Sequence, residues 1–372
     1  MYHPTGVQSR PIAVQPRKKM MMTDQPSSDG HNQLGPSVGW SYSQISDFHA
    51  VPQESAGLTV LPGFAEKGYC VQEIGDGVHY VSNGGYDCIF VCTGSGVITV
   101  DAPATLGNAL LPAIKEVTDE PVTHVVYSHH HADHIGAGSI FGPYVTIVAH
   151  DKTREMLERF PDPNRPVPTE TFTTDGTLDM NGVKLELSYK GQNHCEGNIF
   201  VYAPRQKVLA AIDIFVPGWS PFRGCNASEN IRGWVQAHDQ ILEYDFDAIV
   251  CGHANRWGTG DDAQTSQEYV NDMANLGIEA LEQISDAELI RRAGFHHPWF
   301  VLDNWLNEMA NYVTHKILTM QTSTGQRWTE RLAGVDVVTK YHPYDIVELL
   351  RMEWGMQGSM DKRLNGEIPI PR

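Results

Sequence analysis

One short segment of the chain concentrates side chains that bind metal ions. Residues 128–134 read Ser-His-His-His-Ala-Asp-His, and they follow an apolar stretch that predicts a buried strand. Alternate residues of an extended chain point the same way, so the side chains of His129 and His131 can share one ion. The chain turns at Asp133 and His134, so these two side chains can reach a second ion beside the first. This spacing predicts a centre for metal ions.

Three further candidates follow at the ends of later strands. His194 lies in a loop after a hairpin predicted over residues 178–189, and Asp213 and His253 each follow a short apolar strand. A buried carboxylate without a partner is costly, and a neighbouring cation removes that cost. Because each candidate lies just past a strand, we expect all of them to meet at one site.

His130 is the one imidazole of the segment that we do not expect to bind a metal ion. By the alternation of an extended chain, its side chain points away from those of His129 and His131. We expect His130 to lie behind the ligands or on the surface.

The elements that must position these side chains change in type along the chain. Residues 1–56 are rich in Pro, Ser, Gly and Gln, which predicts a flexible N-terminal extension. Residues 57–262 combine strand-like apolar runs with helical periodicity, which is typical of an α/β (α+β) catalytic domain. Residues 263–372 have little strand character and predict a C-terminal helical region.

Taken together, these residues resemble the metallo-β-lactamase superfamily over roughly residues 71–257. The resemblance is carried by the HxHxDH motif of residues 129–134, the later loop histidine, the strand-end aspartate and a Gly-His pair. It implies an αββα sandwich with the site along one edge of two sheets. It implies two zinc ions per chain, with His129, His131 and His194 on the first ion, Asp133, His134 and His253 on the second, and Asp213 as the bridge. Asp101, which ends an earlier strand, matches a position that supports the metal loop.

The resemblance also implies a chemistry, which is hydrolysis by a hydroxide that bridges two zinc ions. We expect a small carbonyl substrate, with a lactone slightly favoured over an ester or an amide. Asp133 is the expected carrier of a proton to the leaving group. Nitrogen and oxygen ligands favour zinc without excluding iron, manganese or cobalt.

Two other branches of the superfamily stay open as alternatives. A thioesterase of glyoxalase type would need a basic patch for its anionic carrier, and we locate none in the sequence. An oxidoreductase similar to persulfide dioxygenases would hold a single iron with two His and an Asp, which leaves His134 and His253 idle. The number and identity of the bound metal ions distinguish this redox alternative from the hydrolase.

The composition restricts partners and compartment. The chain has 27 Lys and Arg against 45 Asp and Glu, a net charge of −18, so it repels phosphate backbones and we expect no nucleic-acid partner. No apolar run approaches the roughly 20 residues of a membrane span, and no apolar segment follows the basic residues 17–19. We therefore expect a cytoplasmic protein without a membrane partner. Six cysteines without a CxxC pair predict buried thiols.

Several segments could shape a pocket for a small-molecule substrate. Residues 214–223 contain two prolines and three aromatic residues directly after Asp213, which predicts a rigid apolar wall, and residues 161–168 could form a flap. Arg256 could anchor a substrate carboxylate or simply pair with an acid. The aromatic residues of the C-terminal helices predict that this region closes one side of the cleft or forms a homodimer contact.

Overall fold

The β-strands form two sheets. The computed structural model describes residues 64–253, 256–293 and 297–356. The first sheet contains seven strands in chain order: β1 (Cys70–Gly75), β2 (Val78–Ser82), β3 (Asp87–Cys92), β4 (Val97–Val100), β5 (Val122–Val126), β6 (Thr146–His150) and β7 (Glu170–Phe172). The second contains five, also neighbouring in chain order: β8 (Asp175–Met180), β9 (Val183–Ser188), β10 (Phe200–Ala203), β11 (Val208–Ala211) and β12 (Ala248–Val250).

Strand direction changes once within each sheet. Strands β1 to β4 pair antiparallel, whereas β4 to β7 pair parallel. In the second sheet, β8 to β11 pair antiparallel and β12 joins β11 in parallel. The carboxyl ends of strands that run in the same direction lie at the same edge of a sheet, so the loops that follow β4 and β5 in the first sheet, and β9, β11 and β12 in the second, can share a site.

Helices accompany the strands between residues 64 and 253. They are α1 (Phe64–Lys67), α2 (Gly107–Val117), α3 (Ala132–Ile135), α4 (Asp151–Arg159) and α5 (Ile231–Ile241), with a 3₁₀ turn at Gly138–Phe141. Helix α3 is a single turn that carries part of the His-rich segment. It begins after His131 and ends before Gly136, which places Asp133 and His134 on the turn.

The two sheets pack face to face, and helices cover their outer faces. Ile89 and Val91 of β3 share a buried cluster with Leu185 of β9, while Phe90 packs on the opposite side with the core residues of α2. Because both faces of β3 are covered, its apolar residues run without the alternation typical of a half-exposed strand. Helix α5 packs on the outer face of the second sheet through Trp234. This arrangement is the αββα sandwich.

The C-terminal region is helical. Its elements are α6 (Gly260–Gln283), α7 (Asp286–Ala293), α8 (Pro298–Thr319), α9 (Trp328–Arg331), α10 (Val335–Val338), a 3₁₀ turn (Thr339–Tyr341), α11 (Pro343–Glu348) and a π-helical turn (Leu349–Glu353). Met273 of α6, Met309 of α8 and Val347 of α11 share one buried cluster with Phe200 and Leu209 on the outer face of the second sheet. The C-terminal helices are therefore packed on the sandwich through a common core.

Several smaller expectations can be compared with the structure. The hairpin over residues 178–189 forms as β8 and β9, and its turn residues Asn181 and Gly182 adopt φ of 53° and 80°. The N-terminal extension, residues 1–56, lies outside the described residues. None of the described helices has the length and apolar composition of a membrane span. All six cysteines are free thiols, and five of them are buried.

Candidate metal centre

The loops at the strand ends bring the seven sequence-predicted ligands into one cluster. The first group consists of His129, His131 and His194. The Nε2 atom of His194 lies 3.0 Å from Nδ1 of His131, and the ring centroid of His129 lies 4.6 Å and 5.1 Å from those of His131 and His194. Each of these side chains offers a ring nitrogen within 4.8 Å of the others.

The second group consists of Asp133, His134 and His253. The Nε2 atoms of His134 and His253 lie 3.1 Å apart. The Oδ2 atom of Asp133 lies 3.5 Å from Nε2 of His134 and 3.6 Å from Nε2 of His253. Asp133 is the most accessible of the three, with 41% of its side chain exposed.

Asp213 lies between the two groups. Its Oδ2 atom lies 3.0 Å from Nε2 of His134, 3.2 Å from Nε2 of His194 and 3.6 Å from Nε2 of His129. Its Oδ1 atom lies 3.3 Å from Nε2 of His253. One buried carboxylate thus faces histidines of both groups, as a bridging ligand must.

The chain conformation at two aspartates sets this geometry. Asp101 and Asp213, which follow β4 and β11, both have φ of 66°, in the left-handed region that aspartate tolerates better than most residues. The Oδ1 atom of Asp101 accepts a 2.7 Å hydrogen bond from the backbone N–H of Ser128. The Oγ atom of Ser128 in turn lies 2.9 Å from Nδ1 of His129, which leaves Nε2 of that ring facing the cluster. The supporting role expected for Asp101 has this physical basis.

A second buried carboxylate was not singled out from the sequence. The Oδ1 atom of Asp87 accepts a 2.8 Å hydrogen bond from the N–H of Gly252, and the N–H of Asp87 donates to the carbonyl of Gly252. Burial raises the pKa of Asp87 to about 7, although the Gly252 N–H opposes the shift. The contact fixes the residue that precedes His253. The available signal was an acid at the start of an otherwise apolar strand.

Gly252 permits this contact because it has no side chain. It adopts φ of 90°, and a Cβ atom built there would lie 2.7 Å from Cγ2 of Ile212 and 2.8 Å from Cε1 of His134. Any larger residue would push His134 and the loop that carries His253 apart.

His130 belongs to neither of the two groups, but its ring does not point away from both neighbouring imidazoles: its centroid lies 6.4 Å from that of His129 and 4.7 Å from that of His131. Its ring is partly buried, and Nδ1 lies 3.7 Å from Sγ of Cys195. Its carbonyl oxygen accepts a 2.8 Å hydrogen bond from Arg165, a residue of the segment considered as a flap. Residues 161–168 do not line the cavity described below, and through Arg165 they brace the metal loop from behind.

The protonation states of the site fit a cation. Burial would raise the pKa of Asp213, but His134 and His194 hold it well below its usual range. Burial lowers the pKa of His194 to about 4 and that of His129 well below its usual value, so both imidazoles are neutral. Burial also acts to lower the pKa of His134, but Asp213 raises it to about 9. An ionised carboxylate and neutral imidazoles are the forms that bind metals, and His134 carries the proton that a cation would replace.

The donor atoms also fit a metal pair in space. The Nε2 atom of His129 and the Oδ1 atom of Asp213 are buried and make no hydrogen bond with any described residue. Two nitrogens bound tetrahedrally to one zinc ion at about 2.05 Å lie roughly 3.3 Å apart. The 3.0 Å and 3.1 Å separations within the two groups are close to that value. The residues present therefore fit two cations, one for each group, with Asp213 shared.

A cavity of about 700 Å³ opens onto the cluster, and five of the seven candidate ligands line it. One wall is Val216, Trp219 and Phe222, from the apolar segment expected after Asp213. Residues of the C-terminal region, including Val337 and Tyr341, also line the cavity. The C-terminal region therefore borders one side of the cleft, whereas the homodimer contact that we gave as the other possibility stays a prediction.

Arg256 does not have the first of its two expected roles, which was to anchor a substrate carboxylate. Its guanidinium group binds the carboxylate of Asp262 through two hydrogen bonds of 2.9 Å and 2.7 Å. It does not line the cavity. Arg256 instead has the second expected role, which was to pair with an acid. Asp262 also caps the start of α6.

Comparison with known proteins agrees with this geometry. A sequence model of the metallo-β-lactamase superfamily matches residues 82–253. The alpha subunit of 2,4-dinitroanisole O-demethylase from Nocardioides sp. (strain JS1661) is 25% identical over 240 residues, which cover 63% of this chain and 69% of that subunit. The metallo-β-lactamase IND-1 of Chryseobacterium indologenes is 22% identical over 62% of this chain and 91% of its own length.

Solved structures include a metallo-β-lactamase from Pontibacter korlensis, which is 22% identical over 55% of this chain and 99% of its own, with a TM-score of 0.49. Residues 82–253 thus match the metallo-β-lactamase superfamily, and the αββα fold and the His-rich motifs of the chain are consistent with that match. Members of this superfamily are hydrolases or related enzymes.

Proposed function

We propose that the protein is a hydrolase that uses two metal ions, zinc in both positions, to cleave a small carbonyl substrate. A lactone is slightly favoured over an ester or an amide. The observation that carries the proposal is the position of Asp213, whose Oδ2 atom lies 3.0 Å from Nε2 of His134 and 3.2 Å from Nε2 of His194. A single ion held by two histidines and one aspartate would leave the opposite group without a role.

In such a reaction, different residues of the chain would have different roles. When bound, the two ions would supply a hydroxide nucleophile at neutral pH and polarise the substrate carbonyl. Asp213 and the histidines would hold that centre, and Asp133, which is part exposed and lines the cavity, would carry a proton to the leaving group. The apolar walls orient the substrate and limit the access of water.

The proposal is tested by metal analysis of the purified protein together with a substrate panel. We expect two zinc ions per chain by inductively coupled plasma mass spectrometry, and turnover of at least one compound among lactones, esters, thioesters and lactams. Asp133→Asn should lower kcat by about a hundredfold or more, since it removes the proton carrier. A thioester as the only substrate would select the thioesterase alternative. One iron per chain, with oxygen consumed in the presence of a persulfide, would overturn the hydrolase proposal.

A second candidate comes from the relative that is an O-demethylase subunit. The name of that relative gives an aryl methyl ether as its substrate, and the cavity of the present chain is bordered by Trp219, Phe222 and Tyr341, which suit an aromatic ring. The same panel should therefore include 2,4-dinitroanisole. Release of dinitrophenolate, followed by its visible absorbance, would favour ether cleavage over carbonyl hydrolysis if it exceeded turnover of every ester and lactone.

A further inference from the structure

One cation lines the cavity. Among the described lining residues, Arg223 is the only arginine or lysine. Its guanidinium carbon lies 4.3 Å from the ring centroid of Tyr341, the arrangement of a cation–π contact. No ion pair joins Arg223 to a carboxylate in the part of the chain that the structure describes, although the chain carries many acids. Arg256, by contrast, is already neutralised by Asp262.

The backbone on both sides of Arg223 is held by hydrogen bonds. The carbonyl of Phe222 lies 3.0 Å from Nε2 of His342, and the N–H of Phe222 donates to Oδ1 of Asn226 at 2.6 Å. Nδ2 of Asn226 donates to the carbonyl of Ile214 at 3.0 Å. An arginine presented on a fixed backbone loses less freedom on binding a partner than one on a free loop.

The backbone of the four residues after Arg223 is strained, and the hydrogen bonds of Phe222 and Asn226 stabilise it. Gly224, Cys225, Asn226 and Ala227 have φ of 59°, 52°, 61° and 55°, so four consecutive residues are left-handed. Left-handed non-glycine residues cost energy and persist where surrounding contacts determine them. Asn226 and Ala227 line the cavity together with Arg223, so the strained turn shapes the wall that carries the cation.

We infer that Arg223, stacked on Tyr341, binds a carboxylate group of the substrate. The substrate would then be an amphiphile, with an apolar or aromatic body against Trp219 and Val337 and an anionic end at Arg223. Guanidinium groups bind carboxylates through two parallel hydrogen bonds, and an apolar surrounding strengthens such a pair. Arg223 lies within the residues that match the superfamily and Tyr341 lies outside them, so the C-terminal region contributes one side of this subsite. The statement that the bound compound is a substrate rests on the proposed function. The binding of a carboxylate at Arg223 does not depend on it.

Binding of an unreactive ligand tests the inference on the metal-loaded protein. We would measure by isothermal titration calorimetry the affinities of phenylbutanoate and of neutral phenylbutanamide. The wild type should bind phenylbutanoate about tenfold or more tightly than the amide, and Arg223→Met should remove that preference while changing amide affinity by less than about twofold. Metal content and circular dichroism of the variant should match the wild type.

Lys340 provides a matched control. Its ammonium group lies 5.1 Å from the centroid of the same Tyr341 ring, but the residue does not line the cavity. Lys340→Met removes the same charge and should leave phenylbutanoate affinity within about twofold of the wild type. An equal loss in both variants would indicate general charge attraction and overturn the subsite.

Two further outcomes would also overturn it. If Arg223→Met keeps full phenylbutanoate affinity, the carboxylate binds elsewhere, the metal ions included. If Arg223→Met weakens the binding of phenylbutanamide as much as that of phenylbutanoate, Arg223 supports the cavity wall without recognising the charge of the ligand. Arg223-dependent binding in a protein that hydrolyses no compound of the panel would retain the subsite and refute the proposed hydrolase, so the two failures are distinguishable.

Discussion

Asp213 is the residue on which both halves of the candidate centre depend. Its carboxylate is buried, faces His134, His194 and His129 through one oxygen, and leaves the other without a hydrogen bond from any described residue. We predict that Asp213→Ala lowers the metal content from two ions per chain to fewer than one, because both positions lose a shared ligand and its negative charge. Metal analysis after dialysis against metal-free buffer measures this directly.

His130→Ala is the control for that prediction. The residue lies in the same segment and its ring packs against that of His131, but Nδ1 of His130 lies near Sγ of Cys195 and its carbonyl accepts from Arg165. We expect full metal content and a loss of activity of a fewfold at most. Loss of metal in His130→Ala, with retention in His134→Ala, would contradict our assignment of His134 as a metal ligand and of His130 as a residue that binds no metal ion.

Much of the site could be predicted from sequence because its residues follow strands. The segment at 129–134, Asp213 and His253 each come after an apolar run, and His194 lies in the loop after the alternating strand β9; these patterns fix the strand ends that bring the residues together. Asp87 and Arg223 could not be singled out in the same way. Their roles depend on contacts with Gly252 and Tyr341, which lie 165 and 118 positions away in the chain and meet only through tertiary packing.

At the scale of elements, strands were easier to anticipate than the turn at residues 224–227. Both faces of β3 are buried, so its apolar run is visible in the sequence, and the Asn181-Gly182 turn has a known preference for left-handed residues. In the turn, Gly224 and Asn226 tolerate positive φ, but nothing in Cys225 or Ala227 signals it. Four left-handed residues in a row are held by contacts from outside the segment.

Asn226 is the residue that we expect to hold this turn. Asn226→Ala removes an acceptor for the Phe222 N–H and a donor to the Ile214 carbonyl, and it places alanine at a φ of 61°. We predict a fall of about 2–3 kcal/mol in the free energy of unfolding, measured by urea titration. Asn226→Asp keeps the acceptor and tolerates the backbone, so it should cost less. Equal stability of Asn226→Ala and the wild type would show that the turn forms without this side chain.

For the whole molecule, the C-terminal region is coupled to the catalytic part through both the core and the cavity. Besides the shared apolar cluster, the backbone of Ser220 donates to Ala333, and that of Ala333 donates to Gly218. His342 adds a contact between the same parts through the Phe222 carbonyl. A region joined in this way sets the shape of the substrate wall as well as contributing to stability.

His342 should also make this coupling sensitive to acid. Burial lowers its pKa to about 4, from an ordinary value of 6.5. The unfolded chain therefore takes up a proton as the pH falls through 6.5, whereas the folded chain does so only near 4, and the stability that is fully present above pH 6.5 is lost between these values. Between roughly pH 7.5 and pH 5, this single histidine should lower the free energy of unfolding of the wild type by about 2 kcal/mol.

The variant His342→Gln tests this, because its side-chain amide can still donate to the Phe222 carbonyl. Its free energy of unfolding, measured by urea titration of the metal-loaded protein at the two pH values, should lack this pH-dependent component. Protonation of the metal ligands lowers stability in both proteins and cancels in the difference. His315→Gln, at an exposed position on α8, serves as the control and should follow the wild type. Parallel pH dependences for wild type and His342→Gln would show that His342 is not held neutral in the folded protein.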